Sequence, residues 1–547
     1  MTGGALLYPS TTDPIRISLR YNLPMPRTEL FASFRRALRA ADQFEREGIA
    51  TSIGIEREAD AWSRRRFMQT SAAAAAGAAF LPVIGNAQEK PRVVILGAGT
   101  AGLTCAYRLQ QAGIASTILE ASPRVGGRMY SLQNFFPDNQ VAELGGELID
   151  TDHHAIRNLA KELDVELIDL TYLDGSNGHD YFIDGKVIKA DSEWIEAFRP
   201  IADLVRRDIG EDGANCEVDF QSGTAKGKAL DAMSIAEWLD RNQVGGSIRK
   251  VIEAAYVGEF GLELDEQSAL NLLCVVGTTP DSFGIFGESN ERYRCREGNG
   301  IIPIRVAQRL ETPVDLGSAV ESIRNRDGGF EITVRRGSSS AAIRADILVT
   351  TIPLTVMRHI DLKKLDLTDV QRGAIQNVGY GTNSKMMVGL NARPWVSMNV
   401  TAYTFTDLPF QACWETSRGQ AGQHAILTNF TGGRQGLRVG EGSLQDRAQE
   451  FVGHADRVFP GTAEAYTGKA VRQLWPTYQW SQGSYNCPRP GEYQRYFRAL
   501  VEPQGRLIFA GEHTMDESGF MNAAVESGER AATQVLAAMG VGVRKVA

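Results

Sequence analysis

The residues that most directly suggest chemistry are Gly97-Ala98-Gly99-Thr100-Ala101-Gly102, a G-x-G-x-x-G run. This spacing brings backbone close to a phosphate and leaves N–H groups free to hold its charge. Gly97 permits the tight turn, Gly99 the approach to a pyrophosphate, and Gly102 the packing of helix on strand. Glu120, followed by Ala121, stands where an acid accepts hydrogen bonds from ribose hydroxyls. An acid rather than a base there argues against NADP but does not separate NAD from FAD. A second glycine pair with an arginine, Gly126-Gly127-Arg128, comes next. Its glycines allow close backbone approach and its guanidinium suits phosphate.

The elements around these residues support the dinucleotide reading. Pro91-Arg92-Val93-Val94-Ile95-Leu96 is a short β-branched run, expected as a buried parallel strand. Leu103, Ala106 and Leu109 then follow a helical period, with Gly113 as the expected C-cap. Ser116-Thr117-Ile118-Leu119-Glu120 is the second strand, ending in the acid. A lone G-x-G-x-x-G is a weak signal, but strand, loop, helix, strand and acid in order make a strong one.

Glu120 and Gly126-Gly127-Arg128 together resemble the E-x-x-x-x-x-G-G-R extension of FAD-dependent amine oxidases, the monoamine oxidase and L-amino acid oxidase group. The resemblance continues in the family's order over about residues 90–540. It includes Gly145-Gly146-Glu147 where backbone nears the flavin, Val320 at an adenine contact, and Gly511-Glu512 after the last cofactor strand. It ends with Phe520-Met521 opening the final helix, whose positive end would face the flavin. The implied fold is α/β plus α+β: a Rossmann-type FAD-binding domain with a mixed-sheet and helical substrate domain.

The same resemblance implies the chemistry. Lys385, in an apolar strand-like segment, matches the lysine that holds a water at flavin N5. A surface lysine with its stem on apolar residues is the plainer alternative. Tyr485 and Phe520 match two aromatics that form a slot before the flavin, although core packing alone would also place aromatics inside. Ser484 stands where some relatives carry a cysteine bonded to the flavin, so FAD is expected to be noncovalent, with Cys487 no substitute. Trp480, with Trp475, is a candidate pocket wall, and Glu147 a candidate for attracting substrate. The implied reaction is oxidative deamination of a primary amine or L-amino acid, with hydride passing to flavin N5. Oxygen then returns the flavin to its oxidised form, giving hydrogen peroxide and ammonia. A flavin-dependent amino-acid monooxygenase, a desaturase and a non-catalytic FAD-binding protein remain alternatives.

The choice between amine and amino acid stays open in the sequence. Some L-amino acid oxidases place an arginine after the Gly145–Gly146 region, where this chain has Glu147-Leu148-Ile149-Asp150. Arg434 is another candidate for a carboxylate, and Glu147 or Glu415 for a cation. His153-His154 have no evident partner, and no metal site is expected.

The bulk numbers bound these readings. With 547 residues, at least two domains are expected. A net charge of −8 gives no support for nucleic acid or an anionic membrane surface as partner. The six cysteines contain no C-x-x-C pair, and a chain this long does not need disulfide staples. Ser63-Arg64-Arg65-Arg66-Phe67-Met68 before an alanine-rich apolar run resembles a twin-arginine export signal over 63–87, read by a receptor rather than anchoring the chain. Without it the protein would be cytoplasmic. The expected organisation is an extension over 1–62, an FAD-binding domain from 88–150, 285–353 and 475–540, and a substrate domain from 151–284 and 354–474. A homodimer is left open.

Overall fold

The computed structural model describes residues 91–171, 180–189, 192–278, 284–287 and 289–541. The N-terminal extension and the twin-arginine-like segment lie outside the described residues. Val93–Leu96 is a four-residue strand buried on both faces. It pairs in parallel with Ile347–Thr350 on one side and Ser116–Leu119 on the other. Leu507–Phe509 completes a four-stranded parallel sheet beside Ile347–Thr350. Continuous apolar runs suit these strands because helices and loops cover both sheet faces.

The first crossover is the helix Thr100–Gln111, with Ala112 as C-cap and Gly113 at φ +75° just beyond it. The final helix, Met521–Ala538, packs against it. Their shared core includes Ile95, Leu103, Leu109, Val525 and Val535. Burying a Leu or Val side chain contributes roughly 1.5–3 kcal/mol, so this seam holds two distant parts of the chain together. A three-stranded antiparallel sheet, Ser318–Arg326, Gly329–Arg336 and Ser339–Ala345, lies nearby and packs through Ile323, Phe330 and Ile332.

The rest is a seven-stranded mixed sheet and a helical layer. The sheet order is Tyr466–Leu474, Ser384–Leu390, Ala425–Thr431, Ala412–Glu415, Thr404–Thr406, Asp180–Ile183 and Lys186–Lys189. Most pairs are antiparallel, and Thr404–Thr406 against Asp180–Ile183 is parallel. Ser384–Leu390 is buried at every position, which matches the apolar run around Lys385. The helices Ser192–Ile209, Ile235–Arg241, Gly246–Phe260 and Ala269–Leu273 enclose Val205, Trp238, Tyr256 and Leu270. Ser234 and Glu237 form a capping box, satisfying N–H groups that would otherwise be orphaned. The same stretch that supplies this helical layer also sends Asp180–Ile183 and Lys186–Lys189 into the mixed sheet. No helix among the described residues is long and apolar enough to cross a membrane.

One expectation is corrected. Cys216 and Cys274 form a disulfide across a sequence separation of 58, although chain length alone suggested no need for one. Linear spacing carried no signal for it, because packing of the helical layer brings the two cysteines together. Closing a loop of that length constrains the unfolded chain by about 3–5 kcal/mol in the chain-entropy account. Dithiothreitol is therefore expected to lower the thermal unfolding midpoint of the protein. In Cys216→Ser the midpoint should start lower and no longer respond to reductant.

Candidate active site

A single cavity of about 1050 Å³ runs from the G-x-G-x-x-G loop to the helical layer. Every residue of the cofactor and catalytic expectations except Gly102 lines it. These are Gly97, Gly99, Thr100, Ala101, Glu120, Ala121, Gly126, Gly127 and Arg128, then Gly145, Gly146, Glu147, Val320, Lys385, Trp480 and Tyr485, then Gly511, Glu512, Phe520 and Met521. The structure thus brings together residues from across the chain.

At the loop end, Gly97 has φ +102°, and a Cβ there would lie 2.5 Å from Thr351 Oγ1. Gly102 stays off the cavity because a Cβ would meet Gly97 O at 2.1 Å, so it serves helix–strand packing. A Cβ on Gly99 would instead enter open space. The helix Thr100–Gln111 has no side-chain cap and no acid in its first turn. Free N–H groups beside an open glycine form an anion site. Glu120 accepts from Ala98 N and Ser122 N, both at 2.7 Å, so its carboxylate is fixed at the cavity wall. Arg128 donates to Glu512 Oε1 at 2.8 Å and to Ser484 O at 2.5 Å. The final helix likewise begins uncapped, with no acid in its first turn. These features fit a dinucleotide with a flavin: an uncapped helix for the pyrophosphate, an acid for a ribose, and a second positive helix end for the ring.

Lys385 lies deep in the middle, 5% exposed. Its Nζ donates to Glu147 Oε2 and Gly145 O, both at 2.8 Å, and to Glu143 O at 3.2 Å. Trp414 and Phe430 flank the ammonium, with ring centroids at 5.2 and 5.8 Å. Burial raises the Glu147 carboxyl, but the Lys385 and Arg294 charges outweigh it and hold the group below the usual range. Thr416 Oγ1 also donates to Glu147. Glu143, without such a close ion pair, is pushed by burial to about 7.

The aromatic expectations line the cavity wall. Tyr485 donates its hydroxyl to the Glu259 carbonyl. Phe520 packs edge-on against His153, with centroids 5.0 Å apart. Ser484 is buried on the cavity wall and donates to Asn383 Oδ1 at 2.6 Å. Cys487 is wholly buried and does not line the cavity. Trp475 donates its indole N–H to Leu144 O at 3.1 Å.

Other sequence candidates go elsewhere. Arg434 pairs with Glu263 at 3.1 Å and its side chain is 81% exposed, off the cavity. Glu415 binds Arg393 at 2.8 Å and Trp395 Nε1 at 3.1 Å. Asp150, Asp152 and His153 approach one another, but Asp150 already accepts from Ser289 Oγ and from the N–H groups of Asn290 and Glu291. The sequence reading missed Glu259 and Glu291, which line the cavity beside Asp150. One signal was present: Glu259 is the single charged residue in the apolar stretch 254–262.

The buried pair yields a test. Removing one partner of a buried ion pair leaves a charge without compensation and costs about 3–5 kcal/mol. Lys385→Met is expected at the low end of that range, since Arg294 still faces Glu147. The double variant with Glu147→Gln should recover more than half of the loss in denaturant unfolding.

The family described as "Flavin containing amine oxidoreductase" matches residues 100–536. The L-amino-acid oxidase of Siganus canaliculatus is 26% identical over 81% of this chain and 85% of its own. The flavin-containing amine oxidase A of Sus scrofa is 25% identical over 83% of this chain and 86% of its own. Cyclohexylamine oxidase from Brevibacterium oxydans superposes with TM-score 0.71 at 20% identity, covering 82% of this chain and all of that one.

Proposed function

The chain belongs to the flavin-containing amine oxidoreductases, and from that premise we propose that it is an FAD-dependent oxidase of amines rather than of α-amino acids. Membership carries a flavin cofactor and amine oxidation in general. When bound, FAD supplies the two-electron acceptor for the carbon bearing nitrogen and passes the electrons to oxygen as hydrogen peroxide, while the imine hydrolyses to a carbonyl compound and ammonia.

The observation that carries the choice of amine is the charge of the substrate end. Glu259, Glu291, Asp150 and Glu517 line it. Among the described residues lining the cavity, the cations are already engaged. Lys385 holds Glu147, Arg128 holds Glu512, Arg206 holds Asp203 and Arg207 holds Asp208. A substrate carboxylate would find no free cation there and would raise these acids further, whereas an ammonium is stabilised by their ionised forms. Tyr485 and Phe520 wall the approach, exclude water and orient the α-carbon. Glu147 keeps the Lys385 ammonium in place beside Gly145, where a proton can be held at Nζ.

We assign the FAD-binding part to 88–150, 285–353 and 475–540 and the substrate part to 151–284 and 354–474. The parallel sheet drawing on Val93–Leu96, Ile347–Thr350 and Leu507–Phe509 supports that division. Ser484 supports noncovalent FAD, because a hydroxyl cannot form the thioether. The Cys216–Cys274 bond supports export, since disulfides persist in oxidising compartments.

Two outcomes check this reading. Purified yellow protein should release peroxide with primary amines, and kcat/KM for α-amino acids of matched side chain should be about 100-fold lower, equivalent to about 2.7 kcal/mol. Equal rates with amino acids would reverse the substrate assignment. Acid precipitation should leave all the flavin colour in the supernatant. Colour retained in the pellet would show a covalent bond.

A further inference from the structure

The helical-layer end of the cavity opens beside a short strap. Arg207, Glu211, Asp212, Glu217 and Cys274 line the cavity and are also exposed to solvent, so they ring its mouth. The strap is the turn Glu211–Cys216, which leaves the helix Ser192–Ile209 through Gly210. Gly210, Asp212 and Gly213 have φ of +77°, +55° and +70°. Asp212 thus occupies left-handed backbone, which a non-glycine residue keeps only where its surroundings hold it.

The strap's hydrogen bonds run back to its own side. Asn215 Nδ2 donates to Asp208 O at 2.8 Å, Thr224 Oγ1 to Asn215 Oδ1 at 2.6 Å, and Gly213 N to Gly210 O at 3.2 Å. The Cys216–Cys274 bond instead crosses to the end of the helix Ala269–Leu273. Arg206 makes a second crossing, to the Thr278 carbonyl, from the helix before the strap. Val218, just beyond the bond, is buried with Leu230, Trp238 and Val251 in the helical-layer core. Apolar packing holds that layer with or without the bond, whereas the strap would lose its tie to the far side.

The bond is also within reach of solution. Cys216 is buried but Cys274 is exposed, and a thiolate attacks an accessible sulfur. A dithiol breaks the S–S bond by supplying two electrons and two protons. Both cysteines become thiols, and the dithiol closes to its own disulfide. Cys105, Cys295, Cys413 and Cys487 are buried, which leaves Cys274 as the thiol that the break exposes.

We propose that the Cys216–Cys274 bond is a redox-set latch on the cavity mouth, and so a determinant of which amines enter. Closed, it holds Glu211–Cys216 across the way in and favours slim amines. Open, it lets the strap swing aside and admits bulkier ones, with the chemistry deeper in the cavity unchanged. The bond is closed in an oxidising compartment and open where thiols are abundant. The latch takes its probes from the amine-oxidase reading and adds a control on access to that site.

The test uses full-chain holoenzyme, either oxidised or treated with dithiothreitol and desalted under nitrogen, below its unfolding midpoint. Iodoacetamide should label Cys274 only after reduction. Anaerobic stopped flow with 1-aminopentane and 2,2-diphenylethylamine reads entry by the fluorescence of Trp414 and Trp480, which line the cavity, and oxidation by flavin absorbance. Reduction is expected to raise the entry rate of the diphenyl amine relative to 1-aminopentane at least about threefold, and its relative kcat/KM by a like factor carried by KM. Cys216→Ser and Cys274→Ser, made singly so that one folding failure leaves the other, should show the raised ratio without reductant and not respond to it. Labelling of Cys274 before reduction, or an entry ratio that neither reduction nor either variant moves, overturns the latch while leaving amine oxidation intact. No flavin reduction by either amine overturns the amine-oxidase reading, and the entry ratio still decides the latch.

Discussion

The Lys385–Glu147 pair is the contact on which the site depends. Glu147 follows the glycine pair that closes the first cofactor-binding stretch, and Lys385 lies in the mixed sheet. Their ion pair, with hydrogen bonds from Nζ to the Glu143 and Gly145 carbonyls, pins the sheet to the loop where the flavin is expected. Two charges this deep are tolerated only because each satisfies the other, with Thr416 and Arg294 adding support. The pair also consumes the ammonium of the one lysine among the described residues lining the cavity, so the remaining acids find no lysine to pair with.

That arrangement separates the cavity into two electrostatic regions. Around the dinucleotide end, uncapped helix N-termini and Arg128 favour anionic groups. Around the substrate end, Glu259, Glu291 and Asp150 favour cations. A single cavity can therefore hold a phosphate-bearing cofactor and an amine without mixing their sites. The aromatic walls between the regions supply shape and exclude water rather than charge.

The disulfide and the helical layer serve the same chamber from outside. Cys216 and Cys274 both line the cavity wall, so their bond fixes part of the substrate end. The helix Gly246–Phe260 presents Glu259 from the same layer. One end of the cavity is thus built largely from the helical layer, whereas the glycine-rich end is built from the parallel sheet and its loops.

The sequence alone made the glycine-rich loop end of the cavity legible. Local physics explains why: G-x-G-x-x-G, Glu120 and Gly126-Gly127-Arg128 act through their own turns and helix ends, which short stretches specify. Lys385 was also legible, because a lysine in a strand of apolar residues is buried. The tertiary structure decided what those residues meet. Nothing near Lys385 in sequence identifies Glu147, 238 positions away, as its partner. Arg434 looked available to a carboxylate, yet Glu263 takes it at the surface. Glu259 and Glu291 come from separate segments, and only the tertiary packing brings both to line one cavity. Charge placement across a cavity depends on long-range contacts, and these are absent from any local pattern.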